Sequence, residues 1–164
     1  MEDDRLTKNP ARPARRNLPQ PDTREMLFLT HEEVERLVSV VDEPRRTFLY
    51  ALAYTGIRWG EAVALRKGWC HVLKAKLHIA ESLAEVSGVL HFGEPKTAKS
   101  RRWVDMPRFV ADMLGAHIGT QVLGDDGALI FTSPKGAPLR HSNFYKTIWR
   151  PAVWNAGLPD ALRL

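Results

Sequence analysis

The apolar residues of this 164-residue chain change period twice. In LTHEEVERLVSVV, Val34, Leu37, Val38 and Val41 fall on one face at helical spacing. Thr30 stands where an N-cap should, Glu33 completes a capping box, and Leu29 and Val34 are spaced as a hydrophobic staple. A second helix is expected through RRTFLYALAYTG, with Phe48, Leu49 and Leu52 inward and Gly56 ending it. A third, RWGEAVALR, follows at once. The spacing then shortens to alternation. KLHIA sets Leu77 and Ile79 on one face, SGVLHF opens with a turn and runs apolar, and RRWVDMP sets Arg102, Val104 and Met106 opposite Trp103 and Asp105. These three segments read as a small three-stranded antiparallel sheet joined by hairpins.

Pro107 restores the helical period, with Phe109, Val110, Met113, Leu114 and Ile118 apolar. ALIFTS reads as a short extended piece. Ser142 is expected to cap a last helix from Asn143 towards Ala156, kinked at Pro151 and ended by Gly157. The expected fold class is therefore α+β, mainly helical. Residues 1–26 contain Pro10, Pro13, Pro19 and Pro21 with arginines between them, and read as an extended or disordered linker before a unit spanning 27–164.

Charge is distributed unevenly. The chain carries 24 basic and 19 acidic residues, a net +5, yet no acidic residue occurs from Gly127 to Pro159. That stretch holds Lys135, Arg140, Lys146 and Arg150, and KTAKSRR adds Lys96, Lys99, Arg101 and Arg102. Such fields favour a polyanion, although an unevenly charged solvated surface gives the same pattern. On this ground Lys99, Arg101, Arg102, Lys135, Arg140 and Lys146 are the candidate DNA-binding side chains. Cys70 is the single cysteine, no apolar run is long enough to cross a bilayer, and no signal-peptide core is present. A soluble cytoplasmic protein without a membrane partner is expected.

YTGIRWGEAVALR places Arg58 just past a glycine turn, with Glu61 three residues on and on the same face. Alone, this is as readily a surface ion pair worth a few tenths of a kcal/mol. Lys96, in EPKTAKSRRWVDMP, falls in the turn before the third strand, where a solvated hairpin lysine is common. In order along the chain, however, FLTHEEVERL, TGIRWGEAVALR, PKTAKSRRWVDMP and FTSPKGAPLRHSNFYKTIWRPAVWNAGLP resemble the catalytic domain of tyrosine recombinases of the phage integrase type. The resemblance runs from about residue 26 to 164. After LRKGW the family often carries acidic residues, where this chain has Cys70 and His71.

The resemblance implies site-specific DNA recombination through a covalent phosphotyrosine. Arg58 matches the first of the family's two arginines, suited to a phosphate by its planar fork of donors. Lys96 matches the lysine that protonates the departing DNA oxygen. Glu61 is expected to hold Arg58 in orientation. The implied partners are double-stranded DNA attachment sites, with a homo-tetramer on DNA for the full-length parent. No cofactor is implied. No metal is expected either, because His31, His71, His78, His91, His117 and His141 show no ligand spacing.

The family's nucleophile follows a His-x-x-Arg box, and Tyr50, Tyr54 and Tyr145 all precede the place where that box would begin. They read as packing residues, and Arg163 has no His-x-x before it. GLPDALRL reads as the approach to the box, so the chain is expected to stop short of the second arginine and the tyrosine. It is likewise expected to begin in the linker after an absent DNA-clamping domain. This chain alone should then bind DNA without cleaving it. Two alternatives stay open: a decayed or truncated integrase serving as a non-catalytic DNA- or partner-binding module, and an unrelated helical regulator of acidic partners.

Overall fold

The structure, a computed structural model, describes residues 27–93 and 101–164. The linker reading of residues 1–26 lies outside the described residues, as do Lys96 and Lys99. Helix α1 (His31–Ser39) opens as its sequence predicts. The Thr30 hydroxyl accepts from the Glu33 N–H at 3.3 Å, and the Glu33 carboxylate accepts from the Thr30 N–H at 2.8 Å. Its apolar stripe is buried, together with Phe48 and Leu49 of α2 (Arg45–Thr55), while Leu52 is only half-buried. Gly56 ends α2 at φ +63°, a left-handed turn that costs glycine little. The chain leaves α2 at Gly56 and enters α3 (Trp59–Val63) through its N-cap Arg58.

Among the described residues, five short strands follow: β1 (Cys70–His71), β2 (Lys76–Ile79), β3 (Ser82–Val86), β4 (Val89–Gly93) and β5 (Arg102–Asp105). They form two ladders rather than the single expected sheet. One is antiparallel in the order β1-β2-β5, with Leu77 opposite both Cys70 and Val104. The other is a β3–β4 hairpin. The strand expected from SGVLHF is present, but it pairs with the residues just before it. The cause is local: Ser87 and Gly88 take φ +50° and +80°, a two-residue turn that commits its flanks to each other. That leaves β2 open to β5 on one edge and to the dipeptide β1 on the other. On β5, Arg102 and Val104 are half-buried, Met106 just beyond is buried, and Trp103 and Asp105 are exposed, as the alternation predicts.

Helix α4 (Arg108–Gln121) follows Pro107 and buries Val110, Ala111 and Leu114. The last helix begins two residues earlier than expected, at His141 instead of Asn143. Arg140, not Ser142, is its N-cap, because the Arg140 carbonyl already accepts from the Phe144 N–H at 3.0 Å. It runs as α5 (His141–Phe144), a π-turn over Tyr145–Trp149, and α6 (Arg150–Asn155). Pro151 has no N–H to donate, and its ring crowds the preceding turn. The π-turn widens the backbone there, with the Arg150 N–H reaching the Tyr145 carbonyl. Gly157, at φ +65°, follows the helix end. Phe48 knits these parts together, with ring centroids 5.2 Å from Trp59, 4.9 Å from Phe131 and 5.3 Å from Phe144.

Candidate functional site

Arg58 is the N-cap of α3, with extended backbone at φ −71° and ψ 154°. Its side chain is 80% exposed, whereas that of Glu61 is 3% exposed. The glycine turn thus presents one guanidinium to solvent directly above one buried carboxylate. Glu61 accepts the Arg58 backbone N–H at 3.0 Å through Oε2, the N3-to-N-cap half of a capping box, and faces Arg58 Nη1 at 3.4 Å through Oε1. The expected Arg58–Glu61 pairing is therefore present, but its side-chain part is the long contact.

The short contacts come from Arg102, the first residue of β5. Its Nη1 donates to Glu61 Oε1 and its Nη2 to Glu61 Oε2, both at 2.9 Å. This is a bidentate fork on a carboxylate, strong in both geometry and charge. Burial pushes the Glu61 carboxyl up. The Arg102 bonds, the Arg58 backbone N–H and the two guanidinium charges outweigh that and leave it below its ordinary value. The same bonds raise the Arg102 guanidinium. Arg102, grouped from sequence with the DNA-facing cations, thus holds an internal carboxylate 41 residues away. No local sequence signal marks that role.

The other candidate cations divide. Arg140 Nη1 binds the Glu85 carboxylate and donates to the Gly88 carbonyl at 3.0 Å, so it clamps the β3–β4 hairpin. Lys135 and Lys146 are exposed, as is Arg101 beside β5. Lys146 borders a groove with Arg150, Pro151, Trp154 and Asp160, in which Arg150 contacts Asp160 at 3.2 Å. The structure therefore brings Arg58, Glu61 and Arg102 together, while Lys135 and Lys146 stand on exposed segments.

The tyrosines sit as packing residues. Tyr50 donates its hydroxyl to Glu35 at 2.6 Å, and burial, then that bond, push its phenol up to about 12. Tyr54 meets His31 and Phe109, and Tyr145 stacks on His141. Among the described residues, no group of three or more His, Cys, Asp or Glu side chains is placed to hold a metal ion, and no helix is long and apolar enough to cross a membrane.

Comparison with known proteins places this geometry in context. Residues 27–163 match the family model described as the phage integrase family. The chain is 30% identical over 154 residues to the integrase of Mycobacterium phage L5, covering 92% of this chain and 41% of that protein. It is 30% identical over 166 residues to the integrase of Mycobacterium phage FRAT1, covering 98% and 48%. The chain thus spans less than half the length of these relatives. Among solved structures, the Tn1549 transposon integrase in complex with transposon right-end DNA superimposes with a TM-score of 0.74 at 22% identity, over 96% of this chain and 54% of that one. XerA recombinase does so with a TM-score of 0.62 at 20% identity, over 82% and 45%. At these identities the structural likeness bears on the fold.

Proposed function

The chain belongs to the phage integrase family, and from that premise we propose that it carries the Arg58 half of a recombinase active site and engages double-stranded DNA through it. The observation that carries this reading is the exposed Arg58 guanidinium seated over the buried, doubly held Glu61 carboxylate. A surface ion pair of the ordinary kind needs no such foundation. A side chain that must meet a phosphate in one orientation does.

The chemistry asks for such a group. A tyrosine oxygen attacks a DNA phosphorus, the bond to the departing DNA oxygen breaks, and that oxygen takes up a proton. A DNA hydroxyl later gives up its proton and attacks the phosphotyrosine, the phosphorus–tyrosine oxygen bond breaks, and the tyrosine regains a proton as the phosphodiester is restored. In both steps negative charge grows on the non-bridging oxygens. The two parallel N–H donors of Arg58 suit that charge, and removal of one such donor costs on the order of 100- to 1000-fold in rate. Lys96 is assigned the proton for the departing oxygen. That role rests on the resemblance of KTAKSRRWVDMP alone. The solved Tn1549 integrase complex contains DNA, and this chain's sequence pI of about 9.6, with Lys135 and Lys146 exposed, supports the same class of partner here.

On this reading the 164-residue chain binds duplex DNA weakly and does not cleave it, and a longer protein assembles as a tetramer on its attachment sites. A duplex nicked near the candidate phosphate traps any phosphotyrosine adduct, because the short leaving strand diffuses away. The chain should give no adduct, and an adduct would overturn the assignment of Tyr50, Tyr54 and Tyr145 as packing residues. In a recombination-competent protein containing this sequence, Lys96→Ala should slow cleavage at an ordinary phosphate. It should leave cleavage nearly unchanged where a bridging sulfur, which departs without a proton, replaces the leaving oxygen. Equal slowing at both would remove Lys96 from the acid role.

A further inference from the structure

We propose that Arg102 is a positioning residue that keeps Arg58 free for an anion by occupying the carboxylate of Glu61. The inference rests on the reading of Arg58 as the phosphate-facing cation. It gives Arg102 a different role from the DNA contact that its basic neighbourhood suggests.

Glu61 is 3% exposed, and a carboxylate so placed needs a counterion. Two guanidiniums are within reach. Arg102 takes both oxygens in parallel at 2.9 Å, whereas Arg58 approaches one of them at 3.4 Å and leaves the rest of its fork in solvent. The Glu61 and Arg102 charges cancel, and the Arg58 charge is left over, facing outward. Without Arg102, Arg58 becomes the nearest cation to an uncompensated buried carboxylate. It would then fold down onto Glu61 and its donors would no longer face a phosphate. The Arg58 backbone N–H to Glu61 at 3.0 Å adds a second link. Because Glu61 also fixes the start of α3, its tethering to β5 holds Arg58 at a set distance from that strand. Arg102 thus sets the availability and the place of Arg58 through Glu61, without itself touching the anion.

The test reads Arg58 directly. The whole chain is treated with phenylglyoxal, which modifies free guanidiniums, and Arg58 labelling is followed by peptide mass spectrometry while circular dichroism reports folding. Arg102→Met should lower Arg58 labelling roughly threefold, the order an ion pair imposes on the free population of its cation. Glu61→Gln in the Arg102→Met background should restore it, because no carboxylate remains to draw Arg58 down. A merely structural role for Arg102 would loosen the turn and raise labelling instead. Unchanged or raised labelling in a folded Arg102→Met chain overturns the proposal. If Arg102→Met does not fold, Arg102→Lys keeps the charge but not the fork. A measurable fall with that variant supports the proposal, and no change overturns it.

Duplex DNA then separates this inference from the reading beneath it. Arg58→Ala and Arg102→Met should each lower the salt slope of binding by about one contact, and the double variant by no more than either alone. Additive losses would make Arg102 a phosphate ligand and overturn the proposal. Slopes that ignore both variants, with labelling behaving as above, would sink the DNA reading and leave the positioning role standing.

Discussion

Gly60 and Leu83 approach each other more closely than any side chain at position 60 would permit. A Cβ there would lie 2.7 Å from the Leu83 carbonyl oxygen and 2.6 Å from Ser82 Oγ. Gly60 is the second residue of α3, so this contact sets the helix carrying Glu61 against β3. Gly60→Ala should gain about 1 kcal/mol in helix propensity and lose more, about 1–3 kcal/mol, to overpacking against backbone that cannot step aside. Thermal unfolding should show the net loss as a melting temperature lower by several degrees. An unchanged or raised melting temperature would mean that the hairpin yields.

Glu61 makes stability depend on acid. Its carboxyl lies below the ordinary 4.5 in the folded chain because the Arg102 and Arg58 contacts outweigh burial. A depressed folded value means that the unfolded chain binds the proton more readily. The contribution is therefore complete above about 4.5 and is lost as pH falls through the lower folded value. Urea midpoints should decline across that window. In Glu61→Gln they should start lower at neutral pH and decline less steeply. Parallel declines in the two proteins would show that Glu61 does not carry the acid sensitivity.

How much of this was legible in the sequence depended on how far each signal reaches. The α1 capping box was legible because Thr30 and Glu33 lie within one turn of each other. Gly56 and the Ser87–Gly88 turn were legible because a left-handed backbone has few possible residues. Strand pairing was not. β1 is a dipeptide with no period to read, and β3 is mostly exposed, so it shows no apolar alternation. Arg102 was the most instructive case. Nothing local distinguishes an arginine that meets DNA from one that meets a carboxylate across the fold, and in a run reading KSRR both roles have the same composition.

Tyr50 gives an alkaline counterpart to Glu61. Burial, then the bond to Glu35, hold its phenol near about 12, above the ordinary 10.0. A raised folded value contributes stability that is full below 10.0 and is lost as pH rises through about 12. Spectrophotometric titration of the folded chain should therefore show a phenolate appearing late, at the onset of alkaline unfolding. Tyr50→Phe should remove that component and cost about 0.5–1.5 kcal/mol at neutral pH, the worth of one hydrogen bond. If the late component survives in Tyr50→Phe, it belongs to another tyrosine.

Arg66 offers a test of geometry against charge. Its Nε and Nη2 both donate to Glu81 Oε2, at 3.1 and 2.8 Å, and its Nη1 donates to the Gly127 carbonyl at 2.8 Å. Its guanidinium carbon also lies 5.5 Å from the Trp69 ring centroid and 5.4 Å from that of Phe92. One planar group thus joins the end of α3, the hairpin and the loop before ALIFTS. Lysine keeps the charge but supplies no plane and no fork, so it cannot meet Glu81 and Gly127 at once. Arg66→Lys should cost about 1–2 kcal/mol in urea unfolding, more than the exposed ion pair alone is worth. Amide exchange should quicken at Ile130, whose N–H bonds the Leu65 carbonyl next to Arg66. A variant as stable as the parent would reduce Arg66 to an ordinary surface charge.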